Sequence, residues 1–103
     1  MSNPELTNKQ IKFLKAQAHA LKPVVRVGQH GLTEAVFKEL EIALDHHELV
    51  KVKVAAEDRE AREAIWSSLS GKTRSRIVQR IGGMVVLFRQ NTKKPVIDLS
   101  KAT

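Results

Sequence analysis

The chain contains no cysteine, which excludes disulfides and thiolate metal sites. It has no tyrosine, one tryptophan and three phenylalanines, so exposed pairs of rings are not to be expected. No apolar run approaches the ~18 residues of a membrane span. The segment MSNPELTNKQ at the start lacks the apolar stretch of a signal peptide. No glycine-rich nucleotide loop of Walker or Rossmann type is present, and the four histidines have no carboxylate constellation around them. His46-His47-Glu48 is a poor metal motif, because adjacent residues on a helix do not face the same way. These absences point away from an enzyme and imply no cofactor, metal, small-molecule substrate or membrane partner.

At 103 residues the chain fits one domain, residues 1–103, with a core at about 5–90 and a basic C-terminal tail at 91–103. Acids are few and unevenly placed. Residues 1–31 carry five Lys/Arg and one acid, residues 32–71 five Lys/Arg and nine acids, and residues 72–103 eight Lys/Arg and one acid. The net charge is +7. Two basic ends around an acidic middle predict a polarised surface, and a basic patch suits a phosphate-rich partner.

Thr7 and Gln10 have the spacing of a capping box, with Leu6 and Ile11 as a hydrophobic staple. Ile11, Leu14, Ala18 and Leu21 follow the helical period and give the first helix one apolar face. Lys12, Lys15, His19 and Lys22 repeat with the same period beside it, a basic stripe. Pro23 should end this helix. Val24–Val27 reads as a short strand, followed by the loop Gly28-Gln29-His30-Gly31. Thr33 can cap a second helix whose inner face is Leu32, Val36, Leu40, Ala43 and Leu44 and whose outer side, Glu34, Glu41 and Asp45, is acidic. Leu49–Ala56 is the clearest strand, because Val50, Val52 and Val54 alternate with Lys51 and Lys53. Asp58 can cap a third helix through about Ser70, with Gly71 as its stop and Trp66 beside the inward face. Arg76–Ile81 and Met84–Gln90 form a hairpin about Gly82-Gly83. The tail reads as loosely held, with Val96–Leu99 able to add an edge segment. The fold class is thus α/β of the α+β two-layer type. Its order is α-β-α-β-α-β-β, with a mixed four-stranded sheet and three helices.

The Gly28-x-x-Gly31 loop joins a strand to a helix N-terminus. Glycine allows positive φ and close approach of another backbone, and a helix N-terminus offers free N–H groups to an anion. Lys22 and Arg26 flank this loop. A loop of this kind can grip a nucleic-acid phosphate backbone.

Four segments then occur in a familiar order. They are Leu21-Lys22-Pro23-Val24-Val25, Gly28-x-x-Gly31-Leu32-Thr33, Glu48-Leu49-Val50-Lys51-Val52-Lys53 and Val86-Leu87-Phe88-Arg89. Together they resemble the CRM (chloroplast RNA splicing and ribosome maturation) domain family, in its stand-alone bacterial YhbY-type form, over about residues 5–90. The resemblance implies a fold similar to the C-terminal domain of translation initiation factor 3. It also implies a loop comparable with that of KH domains, which clamps RNA backbone. Bacterial members are associated with precursors of the large ribosomal subunit, and plant relatives with organellar intron splicing. Two departures stand out. The loop tip is Gln29-His30 where the family commonly has Lys-Asn, which removes a fixed cation, and Phe88 stands where Tyr is common.

The expected RNA-binding residues are Lys12, Lys15, Lys22, Arg26, Gly28, Gln29, His30, Gly31, Lys51, Lys53 and Arg89. The expected partner is rRNA of the large-subunit precursor, bound by a cytoplasmic monomer. With so few aromatic rings, recognition should rest on RNA shape rather than base stacking. The alternative is a protein–protein adaptor that uses the acidic second helix. DNA binding ranks lower, since no helix has a polar recognition face in a helix-turn-helix setting.

Overall fold

The computed structural model describes residues 6–28, 31–56 and 58–101. Helix α1 spans Asn8–Ala18. Its capping box is complete: the Gln10 amide donates to Thr7 Oγ1 at 3.1 Å, and the Thr7 amide donates to Gln10 Oε1 at 2.9 Å. Strand β1 (Val25–Val27) leads to helix α2 (Glu34–His47), strand β2 (Leu49–Val54) and helix α3 (Arg59–Thr73). The chain closes with the hairpin of β3 (Arg76–Ile81) and β4 (Met84–Phe88), then a short 3-10 turn at Leu99–Lys101.

The strands lie in the order β1-β2-β4-β3, with β1 parallel to β2 and the remaining pairs antiparallel. The expected mixed sheet of four strands with three helices is present. Helices α2 and α3 pack on one face, where Val25, Val27, Val50, Val52, Val54, Val85 and Leu87 meet Leu40, Leu44, Trp66 and Leu69. Helix α1 lies on the other face, where Leu14 and Ala18 meet Leu49, Val78, Val86 and Phe88. The period-2 alternation of β2 divides its side chains between these faces. Burying one such Val, Leu or Phe contributes about 1.5–3 kcal/mol, so both apolar clusters oppose rotation or slippage of the strands.

The strands β1, β2 and β4 are one or two residues shorter than expected, and three larger differences from the sequence expectation stand out. Helix α1 ends at Ala18 rather than continuing to Pro23, and Leu21, expected on its apolar face, is exposed. The reason lies beyond the helix. The Val24 amide already donates to the Lys51 carbonyl, so the chain must be extended before β1 begins. Helix α3 runs through Gly71 and stops at Arg74, which adopts the left-handed conformation at φ 56°. Hydrogen bonds decide that end: the Ser75 amide donates to the Ser70 carbonyl, and Thr73 Oγ1 donates to the Leu69 carbonyl. Gly71 supplies no required freedom there.

The third difference is the tail, which is docked and adds no strand. Ile97 and Leu99 pack against the α1 cluster. The fully buried Glu48, which joins α2 to β2, holds the segment by its carboxylate. Oε1 accepts the amides of Val96 at 2.8 Å and Ile97 at 2.6 Å, and Oε2 accepts that of Asn91 at 2.6 Å. Glu48 itself has φ 63°. A non-glycine residue there costs about 1–3 kcal/mol, which such bonds offset. Glutamine at this position would turn an NH2 group toward an amide donor. Glu48→Gln should therefore lower stability by about 1–3 kcal/mol in urea titrations. The tail amides of Val96 and Ile97 should lose hydrogen-exchange protection first. Unchanged stability and protection would show that the carboxylate does not hold the tail.

Candidate nucleic-acid interface

Residues 49, 51 and 53 share one side of β2, and Leu49 belongs to the α1 cluster. Lys51 and Lys53 therefore lie on the α1 face. Arg26 lies on it too, because it is the register partner of Lys53 across the parallel β1–β2 ladder, while Val25 and Val27 point into the other core. Adjacent strands are about 4.8 Å apart, so Arg26 and Lys53 stand side by side. Helix α1 packs over β2 and β3 on this face and brings Lys12 and Lys15, both exposed, to the same side of the sheet. Lys22 is exposed in the connection between α1 and β1. The two strand lysines differ from each other. Lys53 is exposed, whereas Lys51 is buried and lines a groove with Gln17, Ala20 and Leu21.

The ion pairs found among the described residues are Arg80–Glu63, Arg89–Glu41 and Arg89–Asp45. Lys12, Lys15, Lys22, Arg26, Lys51 and Lys53 take part in none of them. Among the described residues no carboxylate pairs with them; the five exposed ones, Lys12, Lys15, Lys22, Arg26 and Lys53, are available to an external anion, whereas Lys51 is buried.

The loop turn is closed by the Gly31 amide, which donates to the Gly28 carbonyl at 3.0 Å. Gly31 has φ 77°, so a side chain there would be strained, whereas Gly28 shows no positive φ. A Cβ at either glycine would point into open space. Gln29 and His30 lie outside the described residues. Beneath the turn, Gly28 and Gly31 border a cleft of about 650 Å³ that continues to Ala55 and Ala56 of the β2 end and to Ala61 and Ile65 of α3. Helices α2 and α3 both begin nearby. Each has a capped start: Thr33 Oγ1 accepts the Val36 amide, and Asp58 Oδ1 accepts the Ala61 amide.

Arg89 stands apart from the other expected residues. It lies on the opposite side of the fold, beyond β4, and its guanidinium reaches back to α2 and α3. Nη1 donates to Glu41 Oε2 and to the Thr73 carbonyl, each at 2.8 Å, and Nη2 donates to Asp45 Oδ1 at 2.8 Å. Its side chain is 18% exposed. This arginine joins the two helices to the end of the sheet. It also takes up Glu41 and Asp45, which the sequence had suggested as part of an outward acidic face. The signal for this pairing was present in the spacing of Glu41 and Asp45, one helical turn apart on a single face. The role of Glu48 was not anticipated. Its only signal was a carboxylate at the start of the apolar segment LVKVKV.

Among the described residues, no group of three or more histidines and carboxylates is placed to hold a metal. Trp66 is buried in the core and offers no ring to a ligand.

Several known proteins are similar to this chain. An RNA-binding protein of Haemophilus influenzae is 47% identical over 88% of this chain and 92% of its own. A protein of Bacillus subtilis, named a probable RNA-binding protein, is 35% identical over 91% of this chain and 98% of its own. The solution structure of a hypothetical protein from Staphylococcus aureus superposes with a TM-score of 0.75 at 34% identity, covering 85% of this chain and 92% of that one. The sequence pattern of the CRS1 / YhbY (CRM) domain matches residues 6–89. With this match over most of its length and relatives of 35% and 47% identity, the chain belongs to the CRS1/YhbY (CRM) domain family.

Proposed function

We propose that this protein is a non-catalytic RNA-binding protein. It holds the sugar–phosphate backbone of structured RNA on the α1 face of its sheet, with the Gly28–Gly31 turn at one end of the track. The observation that carries this reading is the unneutralised basic surface. Lys12, Lys15, Lys22, Arg26 and Lys53 come from three elements and a connection, yet lie on one side of the sheet. Among the described residues none of them is ion-paired, while Arg89 and Arg80 are. Such a surface attracts phosphates and releases their counterions on binding. The names of the relatives support the same class of ligand.

The RNA is rRNA of the large ribosomal subunit precursor, a choice supported by the family's association with ribosome maturation. The protein would bias folding of one rRNA element by fixing its backbone, and no step of covalent chemistry is required. The adaptor reading loses its main support because Glu41 and Asp45 already bind Arg89. Glu34→Lys isolates what remains of that acidic face and should leave RNA affinity unchanged or slightly raised.

Binding to precursor rRNA fragments should weaken steeply with salt. Lys22→Glu/Arg26→Glu should lose at least about tenfold in affinity and flatten the slope of log K against log salt by about 2, roughly one for each lost phosphate contact. A flat slope for the wild type would overturn the reading. A second outcome concerns the turn. Gly28→Ala should leave thermal stability within about 0.5 kcal/mol, since a methyl meets nothing there, yet weaken RNA binding about tenfold by holding the phosphate backbone away. Gly31→Ala should in addition cost about 1–2 kcal/mol of stability, because φ is 77°. Unchanged RNA affinity in Gly28→Ala would remove the turn from the binding track.

A further inference from the structure

Three of the five large apolar side chains exposed on this fold cluster in one place. Among the described residues the five are Leu21, Val24, Ile42, Ile81 and Val96. Leu21, Val24 and Val96 line a single groove of about 380 Å³, at the end of β1 opposite the glycine turn. The groove is therefore walled by the connection after α1 on one side and by the docked tail on the other, with Leu49 at its base. Its size falls in the roughly 300–1,000 Å³ range of small-ligand sites. Its walls are fixed by interactions already described. The Glu48 carboxylate holds the amides of Val96 and Ile97, and the Val24 amide donates to the Lys51 carbonyl.

Two polar groups reach the same groove. Gln17 of α1 and His47 at the end of α2 both line it, and the His47 ring lies beside that of His46. The exposed Lys22 and the buried Lys51 line it as well. The occupant must therefore offer an apolar face, a hydrogen-bonding edge and an attached negative charge. An alkyl chain would not use Gln17 or the lysines. A free phosphate would not use the apolar walls. A nucleobase has flat apolar faces, an edge that a carboxamide or imidazole can read, and a phosphate at a fixed distance.

The geometry points to this groove as a receiving slot for one unpaired nucleobase of the RNA whose backbone lies on the basic track. The inference rests on the backbone-binding reading and adds a base-dependent contact to it. The placement is consistent along the chain. Val24 borders the groove and Gly28 begins the turn, four residues apart, or about 13 Å of extended chain. Arg26 lies between them on the face shared with Lys53. A strand of RNA gripped at the turn and by Arg26 thus passes the mouth of the groove. The exposed Lys22 would hold the phosphate of the nucleotide whose base turns in. The protein would then distinguish a single-stranded or bulged segment from continuous duplex, even though it exposes almost no aromatic ring.

The test compares a short single-stranded RNA of mixed sequence with an abasic strand of the same length, which keeps every phosphate. The wild-type protein should bind the normal strand about tenfold more tightly. Leu21→Ser/Val96→Ser should bind the two strands within about twofold of each other, at the affinity of the abasic strand, with an unchanged salt slope. Both positions are exposed, so the fold should survive, and thermal melting checks this. Gln17→Ala, also at an exposed position, should reduce the discrimination and change which base is preferred. Equal wild-type affinity for both strands would overturn the slot while leaving the phosphate track intact. Loss of binding to both strands would overturn the track and the slot together. Discrimination that persists in Leu21→Ser/Val96→Ser would place base contact elsewhere. A wild-type dimer in sedimentation that becomes monomeric in this variant would assign the groove to a second copy of the chain, again overturning the slot.

Discussion

The buried carboxylate of Glu48 is the interaction on which the most structure depends. Its backbone amide closes the last turn of α2 on the Leu44 carbonyl, and its carbonyl accepts the Arg89 amide where β4 ends. Its carboxylate accepts three amides of the C-terminal segment. One residue thus joins a helix end, the start of the central strand, the end of its antiparallel neighbour and the tail. Its positive φ follows from this position. The chain must leave α2 and enter β2 within one residue, and the charge-assisted bonds offset the strain. A buried carboxylate without such donors would cost far more than it gives.

The second organising constraint is the alternation of β2. Because successive side chains point to opposite faces, Val50, Val52 and Val54 commit one face to α2 and α3, and Leu49, Lys51 and Lys53 are committed to the other. Helix α1 covers the part of that second face over β2 and β3 and leaves the β1 side open. Among the described residues the cations on the open part form no ion pair, and most of the acids lie in α2 and α3 on the far side of the sheet. Arg89, with odd parity relative to the apolar Phe88, falls on that far side and meets Glu41 and Asp45. The polarity of the molecule therefore comes from strand parity combined with where the acids sit in the sequence.

Much of the fold was legible because its signals are local. The Thr7–Gln10 capping box, the Thr33 and Asp58 caps, the valine alternation of β2 and the glycine pair of the β3–β4 turn all act within a few residues. Each appears in the structure where the spacing places it. The turn at Gly28 and Gly31 was also visible as a motif, and so was its basic approach. The errors arose where distant partners decide the outcome. Helix α1 stops early because Val24 is recruited by Lys51. Helix α3 passes Gly71 because Ser70, Thr73 and Ser75 build a cap further on. The tail is held because a carboxylate some 50 residues earlier needs donors.

By itself the sequence determined which elements form and which side chains of each are apolar. Helical period, strand period and capping chemistry depend only on neighbours. It also determined the family, through four short segments in a fixed order. Tertiary structure alone decided which charges remain free. An arginine and a lysine are alike in charge, but Arg89 meets two carboxylates and a carbonyl across the fold, while Arg26 and Lys53 are register neighbours, both exposed and with no ion pair among the described residues. Tertiary structure likewise gathered Leu21, Val24 and Val96 from separate segments into one groove. Neutralisation and concavity depend on which surfaces come within a few ångströms, and that is set by packing rather than by spacing along the chain.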